Sequence, residues 1–438
     1  MKLLTTLKEL TGWCTILVRN RQQPLSGNNL FLGIVFLALL GACSPKIITP
    51  VKPPVAPPVV VKPVEKPAEI NVETAIKNTE KANQQMLISL VLPFGLDKIN
   101  SATAMLPQMA KANLALDYYQ GFKMALDSVA ILQGANFKLQ VYDSGDDVVK
   151  TNALILKKEI KTSDLIVGPV FPNAIKAFSN LSKTLKIPLV SPLAPQNPNT
   201  FNNPYLLTIN NTLNQHTYTA AAFIKNTLKP KKILLIRSGQ ADEYKYANPF
   251  KKGIDSLAKG LAFAEVGIKA IGYQNINLYL TPTGNNVIVL PATDETFLEA
   301  VFKELVKLSA TFKITVIGHP NWEKATFLNI ETLQQLNTYI TASYQINYKQ
   351  TAVINFIKNY HNKYSLEPSE YSFKGFDTGF YLATLMANQG KNYFTDLVKY
   401  PYIGLHNHFN FIKNSSYGYF NGHVLVLKYQ NFELVKAN

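Results

Sequence analysis

The sequence of 438 residues contains little cysteine and little histidine, and each shortage excludes a class of protein. Cys14 and Cys43 are the only two cysteines, so neither a disulfide-stapled scaffold nor a cysteine-rich zinc site fits the chain. Six histidines, without a Gly-x-Ser-x-Gly sequence, leave little material for a hydrolase. An enzyme is therefore the least expected class, and no metal or cofactor is expected.

What the chain has instead is apolar material and positive charge. Hydrophobic residues make up 47% of the sequence, which is enough for a large core and excludes global disorder. The length predicts two or three domains. A formal net charge of +16 favours anionic neighbours such as lipid headgroups, cell-wall polymers or nucleic acid.

The N-terminus predicts the compartment. Residues 30–42 form an uncharged, mostly apolar run, shorter than the roughly 20 residues of a membrane-spanning helix. The run follows a basic leader, as the core of a secretory signal does. Residues 40–43 (Leu-Gly-Ala-Cys) resemble the bacterial lipoprotein box, which implies a signal peptide over residues 1–42 and a lipid on Cys43. The alternative is an ordinary secretory signal with a chance cysteine.

Export narrows the choice of partners. Nucleic acid is not expected outside the cytoplasm, although most of the positive charge remains after cleavage. Ser44 follows the cysteine in place of the aspartate that retains lipoproteins in the inner membrane of enteric bacteria. No acidic run follows that would resemble the surface-export tag of some Bacteroidetes lipoproteins. We therefore expect a lipid anchor in the outer membrane, facing the periplasm.

A proline-rich spacer precedes the folded body. Residues 45–67 carry repeated prolines, which block helix and ladder bonding and favour polyproline II. At about 3.1 Å per residue the spacer reaches roughly 70 Å, as expected for a stalk. Docking of a proline-reading partner is the alternative. The predicted linker covers residues 43–84.

The body from residue 86 alternates short apolar runs with longer amphipathic stretches, which predicts parallel sheets wrapped by helices. Predicted strands are 86–92, 137–142, 165–167, 188–190, 232–236, 286–290, 314–317, 339–342 and 424–429. Predicted helices include 113–133, 147–159, 173–185 and 296–309. The length of the body favours two α/β lobes.

Short signatures in this body resemble a known family. The order of residues 121–125, 141–147, 165–170 with 187–192, 356–364 and 367–377 is similar to the branched-chain amino-acid receptors among ABC-transporter substrate-binding proteins. The resemblance covers residues 86–387 and implies the type I periplasmic binding fold, in a lipoprotein similar to those of Bacteroidetes. It predicts lobe 1 over 85–207, lobe 2 over 208–345, a return to lobe 1 over 346–404, and a return to lobe 2 over 405–438.

Loops at the carboxyl ends of the predicted strands mark the expected cleft, because ligands of open α/β sheets bind there. The expected cleft loops are 93–96, 168–173, 191–196, 238–246, 291–295 and 318–322. Within these loops and the later motif, the candidate ligand-binding residues are Phe94, Gly168, Pro169, Phe171, Ser191, Pro192, Tyr244, Asp294, Trp322, Phe376 and Asp377.

Several of these residues have a plainer interpretation. Asp294 and Glu295 suit an amine ligand or a helix N-cap, and Tyr244, Tyr246 and Trp322 suit ligand stacking or the core. His406 and His408 have the spacing of metal ligands on a strand, without a carboxylate pattern to support them.

One departure from the family leaves two functions open. Pro172 and Pro195 stand where the family's amino-acid receptors carry hydroxyls that hold the ligand. The first hypothesis is a receptor for a small polar solute, such as an amino acid or a peptide. The second is a non-catalytic scaffold that contacts peptidoglycan or its synthases, as outer-membrane activators of penicillin-binding proteins with this fold are said to do.

Overall fold

The computed structural model describes residues 85–99 and 106–437, and its two large sheets have seven strands each. The predicted signal peptide, the lipid-bearing Cys43 and the proline-rich linker lie outside the described residues. Each sheet is mainly parallel and carries helices on its faces. The predicted architecture of two doubly wound lobes is confirmed.

The first sheet has the order β13-β14-β5-β4-β3-β1-β2, and only the β13–β14 pair is antiparallel. Its strands are β1 (Gln85–Leu92), β2 (Asn136–Asp143), β3 (Leu165–Val167), β4 (Leu189–Ser191), β5 (Leu206–Thr208), β13 (Phe411–Asn414) and β14 (Gly418–Asn421). The helices of this lobe are α1 (Leu106–Gln133), α2 (Val148–Leu154), α3 (Lys158–Lys161), α4 (Pro172–Leu185), α10 (Thr351–Tyr364) and α11 (Glu370–Gln389). A small hairpin of β11 (Tyr402–Ile403) and β12 (His408–Phe409) follows α11.

The second sheet has the order β16-β15-β10-β9-β8-β6-β7, and β15 is antiparallel to both of its neighbours. Its strands are β6 (Lys232–Arg237), β7 (Ala262–Gly267), β8 (Asn285–Val289), β9 (Lys313–Ile317), β10 (Tyr339–Ala342), β15 (Leu425–Gln430) and β16 (Glu433–Lys436). Its helices are α5 (Leu213–Phe223), α6 (Tyr244–Leu257), α7 (Ile268–Ile271), α8 (Glu295–Leu308) and α9 (Ile330–Gln335).

The chain crosses between the lobes after β5, after β10 and after β14. The third crossing lies later than the boundary expected at residue 404. Strand β14 pairs in parallel with β5, so the hairpin that the sequence placed in lobe 2 extends the sheet of lobe 1. Only the segment from β15 onward returns to lobe 2.

Local sequence explains several helix boundaries. Thr212 and Gln215 form a capping box at the start of α5, and the Asp294 carboxylate accepts a hydrogen bond from the Phe297 amide at the start of α8. The predicted helix over 147–159 is instead two short helices, α2 and α3. Asp147 caps α2 through the amides of Val149 and Lys150.

Helix α1 packs tightly against α11, and glycine makes this contact close. A Cβ atom added at Gly121 would overlap the carbonyl of Ser372, and one at Gly375 would overlap the carbonyl of Tyr118. Both glycines lie where the two helix backbones approach each other without side chains between them.

Candidate ligand-binding cleft

A cleft of about 1050 Å³ lies between the two lobes, at the carboxyl ends of their parallel strands. Five of the six expected loops contribute to its wall, and α1 contributes Leu114 in place of the loop 93–96. The wall also includes residues of the crossings after β5 and β10. Its polar residues are Gln196, Asn210, Asn211, His216, Asp242, Lys245, Thr293, His319, Asn321, Glu323, Lys324, Thr341, Ser343, Tyr344, Glu370, Tyr371 and Lys374.

An ion-pair network occupies one part of the wall. Glu370, in the first turn of α11, accepts from Lys374 Nζ at 2.6 Å and from Lys324 Nζ at 2.9 Å. Lys374 is only 6% exposed, whereas the Lys324 side chain is 64% exposed. Burial by itself would raise the pKa of Glu370, but Lys374, Lys324 and the Tyr344 hydroxyl outweigh it and lower the pKa to about 2. Glu370 is therefore ionised at neutral pH.

This network also joins the lobes. Lys324 follows β9 in lobe 2, whereas Glu370 and Lys374 belong to α11 in lobe 1. Lys374 Nζ lies 4.5 Å from the centroid of the Tyr344 ring, in the crossing after β10. Burial lowers the pKa of Lys374, and Glu370 opposes that shift. Each buried charge is thus neutralised by another protein group.

A second cluster fixes the Tyr344 ring. The His406 ring stacks on it with centroids 4.0 Å apart. The loop that carries His406 is held by Asp377, which accepts hydrogen bonds from the amides of Leu405, His406 and Asn407 at 2.7–2.9 Å. Asp377 is 0% exposed, and burial raises its pKa to about 6 despite these bonds.

The wall of lobe 2 is polar but carries neutral imidazoles. The two ring nitrogens of His216 lie 3.0 Å from the hydroxyls of Thr341 and Ser343. His319 Nδ1 accepts from the amide of Asn321, which leaves its proton on Nε2. Burial lowers the pKa of His216 and of His319 to about 4, so both rings are neutral at pH 7.

The wall of lobe 1 carries amide side chains with unpaired polar atoms. Asn211 is 2% exposed and donates to the Asn421 carbonyl, but its Oδ1 has no hydrogen-bond partner among the described residues. The same holds for Asn210 Oδ1 and for both polar atoms of Gln196. Buried polar atoms in folded proteins are rarely left unpaired, so these amides need an explanation.

All eleven candidate ligand-binding residues lie in the described part of the chain, and Phe171 is the one that lines the cleft. Five of the others belong to hydrophobic packing or sheet packing. Trp322 is buried in the core of lobe 2 and donates from Nε1 to the Ala292 carbonyl at 2.8 Å. Phe94 packs edge-on against Tyr119. Phe376 packs against the hydrophobic cluster that includes residues of α10. Gly168 lies against the Val91 carbonyl, and a cis peptide bond joins it to the buried Pro169.

The remaining five candidates are placed by polar contacts or at the surface. Asp294 is the N-cap of α8, and Asp377 holds the loop 405–407. Ser191 and Pro192 are the first two residues of the loop 191–196, and both are buried. Tyr244 is exposed, with the Arg237 guanidinium 4.4 Å from its ring centroid.

The sequence predicted the loops that line the cleft more accurately than the lining residues within those loops. Gln196 and His319 lie in loops expected at the cleft, and Glu370 belongs to the motif at 367–371. The Glu370–Lys374 spacing of one helical turn is a readable signal for an ion pair. No signal in the sequence marks His216 or Asn211.

Other candidate chemistry is placed differently. His406 is buried against Tyr344, whereas the His408 ring stacks on His423 with centroids 5.0 Å apart. Asp143 accepts from the amides of Gly95, Leu96 and Gly145. Within residues 85–99 and 106–437, no group of three or more His, Cys, Asp or Glu side chains is arranged to hold a metal ion.

A family model for periplasmic binding proteins matches residues 110–399 of this sequence. The chain belongs to the periplasmic binding protein family. This family consists of substrate-binding proteins rather than enzymes, which supports a ligand-binding role and a location in the cell envelope. No curated protein matches the sequence significantly. In the described ranges, no helix is both long enough and apolar enough to cross a membrane.

Solved structures show the same fold at low sequence identity. A branched-chain amino-acid ABC transporter protein from Rhodospirillum rubrum is 13% identical, with a TM-score of 0.60, over 81% of this chain and 100% of its own. A substrate-binding protein from Desulfitobacterium hafniense in complex with Leu is 11% identical, with a TM-score of 0.52 and the same coverage. The LpoA C-domain from Haemophilus influenzae, a regulator of PBP1A, is 15% identical, with a TM-score of 0.54, over 80% of this chain and 100% of its own.

Proposed function

We propose that this periplasmic binding protein holds a small polar solute in the cleft between its lobes. The observation that carries the proposal is a set of buried amide atoms on residues that line the cleft. Asn210 Oδ1, Asn211 Oδ1 and both polar atoms of Gln196 have no hydrogen-bond partner among the described residues. An unpaired buried polar group costs about 1–3 kcal/mol. A solute that supplies the missing hydrogen bonds would recover this free energy on binding.

The crossings between the lobes supply a mechanism of capture. Three segments connect lobes that otherwise have separate sheets and cores, an arrangement in which a few residues can absorb a hinge rotation. Polar groups from both lobes would then close on one solute. Capture of this kind needs no catalytic group, and we propose none.

A thermal-shift screen of the purified full chain tests the proposal. The panel contains the common amino acids, dipeptides, neutral disaccharides and muropeptides. A solute present at 100 times its dissociation constant adds about 2.7 kcal/mol to folding, which shifts the melting temperature by a few degrees. A saturable shift with any member supports the proposal, and no shift with any member contradicts it.

We further propose that Cys43 carries a lipid that anchors the protein in the outer membrane, facing the periplasm, with residues 45–67 as the stalk. Labelling with a radioactive fatty acid should mark the wild type and not Cys43→Ser. Sucrose-gradient fractionation should then place the wild type with outer-membrane markers. Unlabelled wild-type protein would contradict the anchor and favour an ordinary secretory signal.

A second candidate function is the non-catalytic scaffold that contacts peptidoglycan or its synthases. Pro172 and Pro195, which replace the hydroxyls of amino-acid receptors, both line the cleft and favour this alternative. The scaffold would be supported over the receptor if no solute of the panel shifts the melting temperature and the protein sediments with purified peptidoglycan.

A further inference from the structure

We infer that the solute of this cleft is an uncharged saccharide of about two rings. The inference rests on the proposed solute-binding function and narrows it to one ligand class. Glu370 forms an ion pair with the buried Lys374, so these two charges neutralise each other, and the exposed Lys324 also contacts Glu370.

A zwitterion finds no buried, unpaired charge among the described residues of this wall. His216 and His319 face the cleft as neutral rings, and the other charged residues of the wall, Asp242, Lys245 and Glu323, are exposed. Transferring an ammonium or a carboxylate from water into a site without an opposite charge or dense hydrogen bonding is costly. The cleft therefore disfavours solutes with buried formal charges.

The start of α4 offers an anion one backbone amide fewer than most helix N-termini. Helix N-termini hold carboxylates through free backbone amides. Here Pro172, at the first helical position, has no amide hydrogen to donate. Pro195, in the loop after β4, likewise offers neither a hydroxyl nor an amide hydrogen.

Neutral donors and acceptors, in contrast, are plentiful on both lobes. Asn210 Oδ1 and Asn211 Oδ1 accept, and the Gln196 amide both donates and accepts. The opposite wall offers His319 Nε2–H and the hydroxyls of Thr341 and Ser343. Sugar hydroxyls donate and accept in turn, so they match such a mixed set without a net charge.

The size and the apolar part of the cleft agree with a sugar. Its volume of about 1050 Å³ lies just above the usual range of ligand pockets, roughly 300–1,000 Å³, and leaves room for a disaccharide. Phe171 and Tyr371 line it together with Leu193. Aromatic side chains offer apolar faces that suit the C–H face of a pyranose ring.

Isothermal titration of the full chain at pH 6 separates the ligand classes. The neutral probes are N,N′-diacetylchitobiose and maltose. The charged probes are the deacetylated diamine of chitobiose, which has the same skeleton, and L-leucine. We expect a neutral disaccharide to bind at least tenfold more tightly than the diamine, and leucine not to bind.

The possible results distinguish the two proposals. Binding of leucine or the diamine in preference to both neutral sugars overturns the saccharide while leaving the solute receptor standing. If none of the four probes binds, the saccharide inference is overturned, and the broader solute panel decides the receptor separately.

The variant Gln196→Met tests the role of the amide directly. Both of its polar atoms lack partners in the free protein, so methionine should leave the melting temperature unchanged or raise it, while disaccharide affinity falls at least tenfold. Gln335→Met, at an exposed position on α9, is the matched control and should change neither quantity. A lower melting temperature with unchanged affinity would assign Gln196 a structural role and refute the inference.

Discussion

Replacement of Asp377 by alanine should destabilise the fold strongly. The carboxylate accepts from three backbone amides at 2.7–2.9 Å and from the Tyr402 hydroxyl at 3.3 Å. At about 1–3 kcal/mol for each orphaned buried donor, the three amides together cost on the order of 6 kcal/mol. The alanine variant no longer buries a carboxylate, which offsets part of this loss. Burial raises the pKa of Asp377 to about 6, a shift that corresponds to a destabilisation of its ionised form by about 3 kcal/mol. The expected net loss is therefore about 3 kcal/mol.

Urea unfolding followed by circular dichroism measures this loss. Asp377→Ala should lower the urea midpoint strongly, whereas Asp255→Ala, at an exposed position on α6, should move the free energy of unfolding by less than about 0.5 kcal/mol. The variant should also weaken solute binding, because the loop held by Asp377 carries His406, on which Tyr344 stacks. A loss below about 1 kcal/mol would refute the assignment of Asp377 as the anchor of this loop.

Three further predictions concern packing, pH and closure. Gly375→Ala should lower the urea midpoint because its Cβ would overlap the Tyr118 carbonyl, whereas Gly267→Ala, with open space around it, should not. Stability should fall as the pH drops from about 6.5 towards 4, because His216, with its pKa lowered to about 4, stays neutral in the folded chain while the unfolded chain takes up protons. Asp377, with its raised pKa, opposes this trend below about pH 6, so unfolding curves should be compared with His216→Gln, which should flatten the fall. Lys324→Ala should increase the radius of gyration of the solute-free protein only slightly in X-ray scattering, because an exposed ion pair contributes about 0–1 kcal/mol. Lys307→Ala, whose ion pair lies within one helix, should leave the radius of gyration unchanged.

The fold was predictable because its signals are local and repeated. Apolar runs such as 165–167 and 339–342 are strands with those same bounds, since strands buried on both faces need continuous apolar sequence. The third crossing was not predictable in this way. Whether β14 joins the first sheet or the second depends on its pairing with β5, which lies about 210 residues earlier, as the Asn211–Asn421 hydrogen bond also shows.

The candidate site was predictable only to the level of loops. Strand order fixes which loops meet at one sheet edge, so the loops 168–173, 191–196 and 318–322 reach the cleft. Which side chain within a loop points inward depends on packing. Trp322 turns into the core of lobe 2 because its large ring fills the space beside Phe302. The smaller His319 and Asn321 of the same loop then line the cleft.

The ion pair between the lobes is too weak to determine closure by itself. Lys324 is 64% exposed, and exposed ion pairs contribute about 0–1 kcal/mol. A ligand must supply several kcal/mol of differential binding to move a two-state equilibrium from mostly open to mostly closed. In this cleft a solute could gain that free energy by hydrogen bonding to the unpaired amide atoms of Gln196, Asn210 and Asn211. Each unpaired buried atom costs the free protein about 1–3 kcal/mol. The Lys324–Glu370 pair therefore orients the lobes, while hydrogen bonds from a solute to these amides would decide how long they stay closed.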